Sequence, residues 1–246
     1  MLAEPMVLCF ALLAAFCIGL SKAGFSGLSL VSVVILADIY GSKSSVGLAL
    51  PLLIAADFLA YPAFRKHGSW KPVWRILIPA VGGLCIGWIF LGMISENVAR
   101  RTIGGCVLGM ALIQLISQLR SPVFERLTTS SQYGISAGVL GGFSSMVANA
   151  AGPVIQLYLL TQRIPKMDLI GIGARFFLIL NVLKVPFNTR LALITSDSLM
   201  DNLKLFPAVA LGIFGGKWLL HRVPQRAFEW IILLFSVAAG IRMIVF

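Results

Sequence analysis

Two apolar stretches of this chain are longer than a bilayer is thick, and each is interrupted inside. The first runs from about Ala3 to Ile39, about 37 residues. As one helix it would reach ~55 Å at 1.5 Å per residue, against a hydrocarbon core of ~30 Å. Its middle reads GLSKAGFSGLSL (19–30): three glycines, three serines and Lys22 within otherwise hydrophobic sequence. The second stretch, about 131–162, is interrupted at VANAAGPV, near Asn149–Pro153. Either each stretch is one tilted, kinked span, or it enters, turns at the break and leaves on the side it entered.

Composition fixes the solvent. The chain is 59% hydrophobic and 12% charged, with a mean hydropathy of +0.95, whereas a soluble domain carries roughly 25% charged residues. So few charges cannot cover a water-facing surface, so the chain reads as an all-α integral membrane protein. Its 246 residues suffice for about seven to nine spans of ~20 residues. The start, with Glu4 and Pro5 and no basic run, reads as a retained first helix rather than a signal peptide. The net charge of +11 sits in short loops such as RKHGSWKPVWR (65–75) and ENVARR (96–101), where it sets topology and meets the lipid bilayer; nucleic acid is not the expected partner. Cys9, Cys17, Cys85 and Cys106 lie in apolar sequence without a CxxC and read as packing residues.

About eight hydrophobic segments are expected, in two four-segment repeats. The first repeat covers 1–119, a polar connector 120–130, and the second repeat 131–246. Each half opens with its broken or re-entrant helix and follows it with three uninterrupted ones. Pro79-Ala80-Val81 is echoed by Pro207-Ala208-Val209, Gly87 by Gly215, Gly47 by Gly171 and Pro62 by Pro186. If each break is a hairpin, a half crosses an odd number of times and the repeats are inverted. The more basic loops 65–75, 120–126, 163–166 and 217–226 then share the cytoplasmic side.

A break at membrane depth needs a reason, because backbone there must be satisfied unless it lines a cavity. Paired interrupted helices are the best sequence pointer to a transporter's binding site. Half-helix N–H groups and the positive end of the helix dipole suit an anion. In the first break Gly24 and Gly27 allow close backbone approach, Ser21 and Ser26 supply hydroxyls, and Lys22 a full charge. In the second, Asn149 can cap the following half-helix or donate to a ligand, and Gly152-Pro153 suits its first turn. Gly82, Gly83, Gly87, Gly104, Gly105, Gly109, Gly212, Gly215 and Gly216 read as helix-packing positions.

Charges inside spans cost ~2.5–3.5 kcal/mol each on insertion scales, so each is a functional hypothesis. Arg175 and Lys184 lie on one helix about 180° apart, so they do not form one clamp on a straight helix; each either lines the path or serves elsewhere. Asn181 shares the Lys184 face. Asp57, the one clearly intramembrane acid, is either the partner of a buried cation or a proton carrier. Central charge is net positive, which favours an anionic substrate. No GxSxG or HExxH motif is present, and the two histidines, His67 and His221, fall in loops. No enzyme, metal or cofactor chemistry is expected.

The two four-segment halves, the breaks GLSKAGFSG and ANAAGPV, and the helix FFLILNVLKVPF resemble the TauE/SafE sulfite exporter family, the DUF81 permeases. The resemblance covers nearly the whole chain. It implies a multi-pass permease of a bacterial-type inner membrane that moves small sulfur-containing anions such as sulfite, sulfoacetate and related organosulfonates. It places Gly24, Gly27, Asn149, Gly152 and Pro153 at the site, and Asn181 and Lys184 on the family's Asn-x-x-Lys pattern. Ala150 and Ala151 depart from glycine-richer breaks, which bears on pocket size and so on substrate. An anion channel and a non-transporting scaffold subunit are the competing readings, and helix faces rich in small residues fit a homodimer.

Overall fold

A computed structural model describes residues 4–23, 27–118, 131–161, 165–219 and 225–245. Those residues form ten helices. In order they are α1 Pro5–Lys22, α2 Leu28–Tyr40, α3 Ser42–Phe64, α4 Trp70–Met93, α5 Glu96–Gln118, α6 Ser131–Ala148, α7 Gly152–Thr161, α8 Lys166–Arg190, α9 Ser196–Leu219 and α10 Gln225–Val245. Each interrupted stretch is thus two helices, which is why ten appear where about eight segments are expected. The connector 120–130, Gly24 and Ser26 lie outside the described residues.

Among the described residues, five helices are long and apolar enough to cross a membrane: Pro5–Lys22, Ser42–Phe64, Trp70–Met93, Glu96–Ile116 and Met167–Arg190. Leu28–Tyr40, Tyr133–Ala148 and Ser236–Val245 are shorter apolar helices. α9 is as long as α4, but Asp197, Asp201 and Lys204 occupy its first turns. Large apolar side chains face outward around the bundle, among them Ile78, Met93, Leu203 and Phe214. In water such a surface would drive association; in lipid it is the solvated face.

Both broken segments fold back on themselves. Glu4, Val7 and Phe10 of α1 meet Ile35, Asp38 and Ile39 of α2 around one cleft, so the start of α1 lies beside the end of α2. In the second segment Gly141 faces Ile155, and the rings of Tyr133 and Tyr158 lie 6.1 Å apart. These are antiparallel helical hairpins, the second of the two geometries the sequence leaves open.

The turns sort to two ends of the bundle. At the near end, Glu96 of α5 accepts the N–H groups of Ser42 and Lys43, satisfying orphan donors at the start of α3. There too Asp38 pairs with Arg100 at 3.1 Å and with Arg242 at 2.9 Å. Tyr40 donates to Asp201 at 3.3 Å. At the far end, the N–H of Gly68 (φ 75°) donates to Asp168 Oδ1 at 2.8 Å, tying the loop after α3 to the first turn of α8.

Close backbone contact holds the hairpins to the long helices. A Cβ on Gly142 would lie 1.9 Å from Ala80 O, and one on Gly83 2.0 Å from Val139 O, so α6 is pressed along α4. Likewise a Cβ on Gly19 would lie 2.1 Å from Val209 O, and one on Gly212 2.3 Å from Phe16 O, pressing α1 along α9. Gly47 of α3 abuts Leu193, in the turn after α8; Gly171 of α8 abuts His67, in the turn after α3. α3 also packs on α8 and α5 on α10. Gly82, Gly105 and Gly109 depart from the packing expectation: among the described residues nothing lies within 4 Å of the place a Cβ would take.

Candidate substrate-binding site

The tips of the two hairpins meet near the middle of α3 and α8. α1 stops at Lys22, with the Ala23 N–H turning back to Leu20 O at 3.0 Å. α6 stops at Ala148, and the φ of 51° at the next residue, Asn149, is left-handed, a conformation asparagine tolerates better than most side chains. The Asn149 N–H reaches Ser145 O at 3.1 Å, which closes the helix end in the manner of an αL C-cap, and the Ala150 N–H reaches Ser144 O at 3.2 Å. Asn149 therefore terminates the helix before it rather than capping the one after it. Pro153 falls in the first turn of α7, where its missing N–H is no loss.

The side chains at the tips join one buried polar chain. Lys22 Nζ lies 2.7 Å from Asp57 Oδ1 and 4.9 Å from the centroid of the Phe177 ring. The other carboxylate oxygen of Asp57 accepts from Asn181 Nδ2 at 2.7 Å. The Asn181 carbonyl accepts from Lys184 Nζ at 3.4 Å, and Lys184 also donates to Ser145 Oγ at 3.3 Å and to Asn149 Oδ1. Asn149 Nδ2 in turn donates to Val46 O at 3.1 Å. Two lysines and one carboxylate thus meet in one chain. Lys184 is fully buried. Removing one member of such a pair leaves an uncompensated charge and costs ~3–5 kcal/mol.

A cavity of about 440 Å³ opens against this chain. Its polar wall includes Ser21, Lys22, Asp57, Asn149 and Asn181, and the start of α7 at Gly152 adds half-helix backbone. Apolar side chains, Leu53, Leu159, Leu160 and Phe177 among them, line the rest. Along α3 the wall runs from Leu53 to Phe64, and along α8 from Asn181 back to Leu169, so the cavity extends toward the far end.

Of the residues singled out from sequence, Ser21, Lys22, Asp57, Asn149, Gly152 and Asn181 come together in that wall. The Ser21 hydroxyl donates to Ile18 O at 2.7 Å and offers its oxygen lone pairs. Lys184 stands behind the wall, holding Asn149 and Asn181 in place. Gly27 and Pro153 are buried beside the breaks. Arg175 goes elsewhere: its guanidinium donates to Gly68 O and Arg65 O, each at 2.7 Å, and lies 5.1 Å from the Trp70 ring centroid. It fastens the far-end loop. Ser29, Ser145 and Phe177 also line the cavity. Ser145 sits one turn before Asn149, a spacing that could have identified it.

One separation recurs. Asp57 and Asn181 are 124 residues apart, as are Gly47 and Gly171, Pro62 and Pro186, and the left-handed turn residues Gly68 and Ala192.

Apolar helices long enough to cross a bilayer, packed around a charged internal cavity, define a multi-pass membrane protein with a polar site inside it. The chain belongs to the sulfite exporter TauE/SafE family, whose model matches residues 11–243. It is thus a membrane transporter of that family. No curated protein and no solved structure matches it.

Proposed function

We propose that the protein is a secondary transporter that exports sulfite or a related small sulfur oxyanion, bound in the 440 Å³ cavity between the two hairpin tips. The observation that carries this is the chain Lys22–Asp57–Asn181–Lys184–Asn149, two lysines with one carboxylate, at the meeting point of both breaks. Lys22 is its most accessible cation, with 13% of its side chain exposed. An arriving anion competes with Asp57 for the Lys22 ammonium, while Asn181 and the start of α7 offer neutral donors. The cavity exceeds what a bare sulfite fills, so it takes the anion with its waters or a sulfonate with a short organic tail.

Asp57 is the proton-coupling candidate in this reading. Protonating it removes the competitor for Lys22 and frees that cation for substrate; losing the proton reverses the exchange. The halves act as inverted repeats. Support comes from the hairpins, the 124-residue correspondences, and packing partners that interchange with the halves: α4 with α6 against α9 with α1. Arg65, Lys66, Lys71 and Arg75 gather at the far end, which makes that end cytoplasmic by the positive-inside rule. The cavity then faces the compartment from which an exporter loads.

Sulfite counterflow in proteoliposomes tests the reading. A carrier gives saturable exchange that is accelerated by sulfite on the opposite side. Unitary anion currents without counterflow would mean a channel, and no flux at all would mean a scaffold.

A further inference from the structure

Toward the near end, beyond the cavity, α8 carries a third polar side chain in line with the first two. Asn181, Lys184 and Asn188 stand at i, i+3 and i+7, one stripe on one helix face. Asn188 is wholly buried, and among the described residues neither its amide nitrogen nor its carbonyl oxygen has a partner. A packed core has no use for such a group: an unpaired amide is costly to bury, and a leucine of similar size would not be.

A second feature lies on the same side. Ser29 and Asn149, both in the cavity wall, also border a separate void of about 10 Å³, room for about one water. Ser32, Ser45 and Val46 share its wall with apolar side chains, Ile18, Val33 and Leu36 among them. Ser32 and Ser45 donate to Ser29 O and Ser42 O, each at 2.8 Å, so their hydroxyl oxygens keep free lone pairs. The next residue of α3, Gly47, is pressed on Leu193, and the Leu193 N–H donates to the backbone carbonyl of Asn188 at 3.0 Å. The void, through Val46, and Asn188, through its backbone carbonyl, therefore adjoin one closed contact, between the start of α3 and the turn after α8.

We propose that Asn188 is a second anion station, on the sealed side of the cavity. When the Gly47–Leu193 contact parts, the Asn188 amide N–H groups receive the sulfur oxyanion as it leaves Lys22 and Asn149, and the void beside Ser29, Ser32 and Ser45 widens into the way out. The amide finds its partner in that state. This inference rests on the transport reading above.

Two variants test it. Asn188→Leu removes the unpaired amide and keeps the volume. Its melting temperature stays level or rises, its sulfite Kd at the cavity stays within about twofold, and its counterflow slows at least about tenfold for loss of the hydrogen-bonding station. Asn188→Cys, in a chain whose four native cysteines are replaced by serine, is labelled by a membrane-impermeant thiol reagent applied at the near end, and faster in the presence of sulfite. Wild-type counterflow in Asn188→Leu overturns the proposal, and so does the absence of labelling in Asn188→Cys. If Asn188→Leu does not fold, the labelling decides. If the wild-type chain binds and moves no sulfite, the transport reading fails by that result, and labelling of Asn188→Cys still decides whether this side opens.

Discussion

At the tip of the first hairpin α1 ends on Lys22, an ammonium that reaches into the cavity. At the tip of the second α6 is followed by Asn149, a neutral amide in a left-handed turn, and the nearby lysine, Lys184, comes from α8. The long helices differ in the same way: α3 places Asp57 where α8 places Asn181, and the two are hydrogen-bonded to each other. One backbone device thus serves two chemistries. The first hairpin and α3 supply an ion pair, and the second hairpin and α8 supply a polar wall braced from behind by Lys184. Of the two lysines, Lys22 is partly exposed to the cavity, whereas Lys184 is fully buried behind its wall.

The largest expected effects test what the hairpins share. A Cβ on Gly19 or Gly142 meets a backbone carbonyl at 2.1 or 1.9 Å. Gly19→Ala and Gly142→Ala should each destabilise by about 3 kcal/mol or fail to fold, since overpacking costs ~1–3 kcal/mol even where neighbours give way. Gly105→Ala, with nothing within 4 Å among the described residues, should be neutral or gain up to ~1 kcal/mol from helix propensity. Thermal unfolding in detergent checks all three; a tolerated alanine at only one of Gly19 and Gly142 would break the equivalence of the hairpins.

Lys22→Ala tests where they differ. Losing a charge-assisted hydrogen bond of ~1.5–3 kcal/mol should weaken sulfite about 10- to 100-fold. Asp57→Asn keeps an acceptor for Asn181 and removes the competing charge. It should tighten sulfite severalfold and flatten the dependence of flux on pH, read by calorimetry and by counterflow across a pH series. Unchanged pH dependence would remove Asp57 from coupling.

The smallest effect is at the second tip. Asn149→Gly accepts the left-handed backbone and loses only the amide bonds, whereas Asn149→Ala loses both. Alanine should therefore be the less stable by about 1–2 kcal/mol, the left-handed penalty of a Cβ. Equal melting temperatures would show that the turn is not held as described.

The breaks, the helical class and the cluster of Lys22, Asp57, Asn149 and Asn181 were legible in sequence because a charge or an interrupted helix in apolar sequence is expensive and so conspicuous. Hairpin against kinked span was not legible, because periodicity is the same in both and only the meeting of Glu4 and Val7 with Ile35 and Asp38 decides it. Arg175 was ambiguous for a related reason: its depth in the sequence segment hides the loop carbonyls of Arg65 and Gly68 that it bonds. Ser29 and Ser145 went unmarked because a small hydroxyl in a membrane helix reads as packing. The open surroundings of Gly82, Gly105 and Gly109 likewise depend on which face of a helix meets another, which no glycine spacing states.

The central claim is that the ion pair of the first hairpin holds the transported anion. Calorimetric titration of sulfite into purified wild-type and Lys22→Ala protein at one fixed salt concentration addresses it most directly. Saturable binding to the wild type, weakened about 10-fold or more in the variant for the lost charged hydrogen bond, is the predicted result. Equal affinity in the two proteins would contradict it.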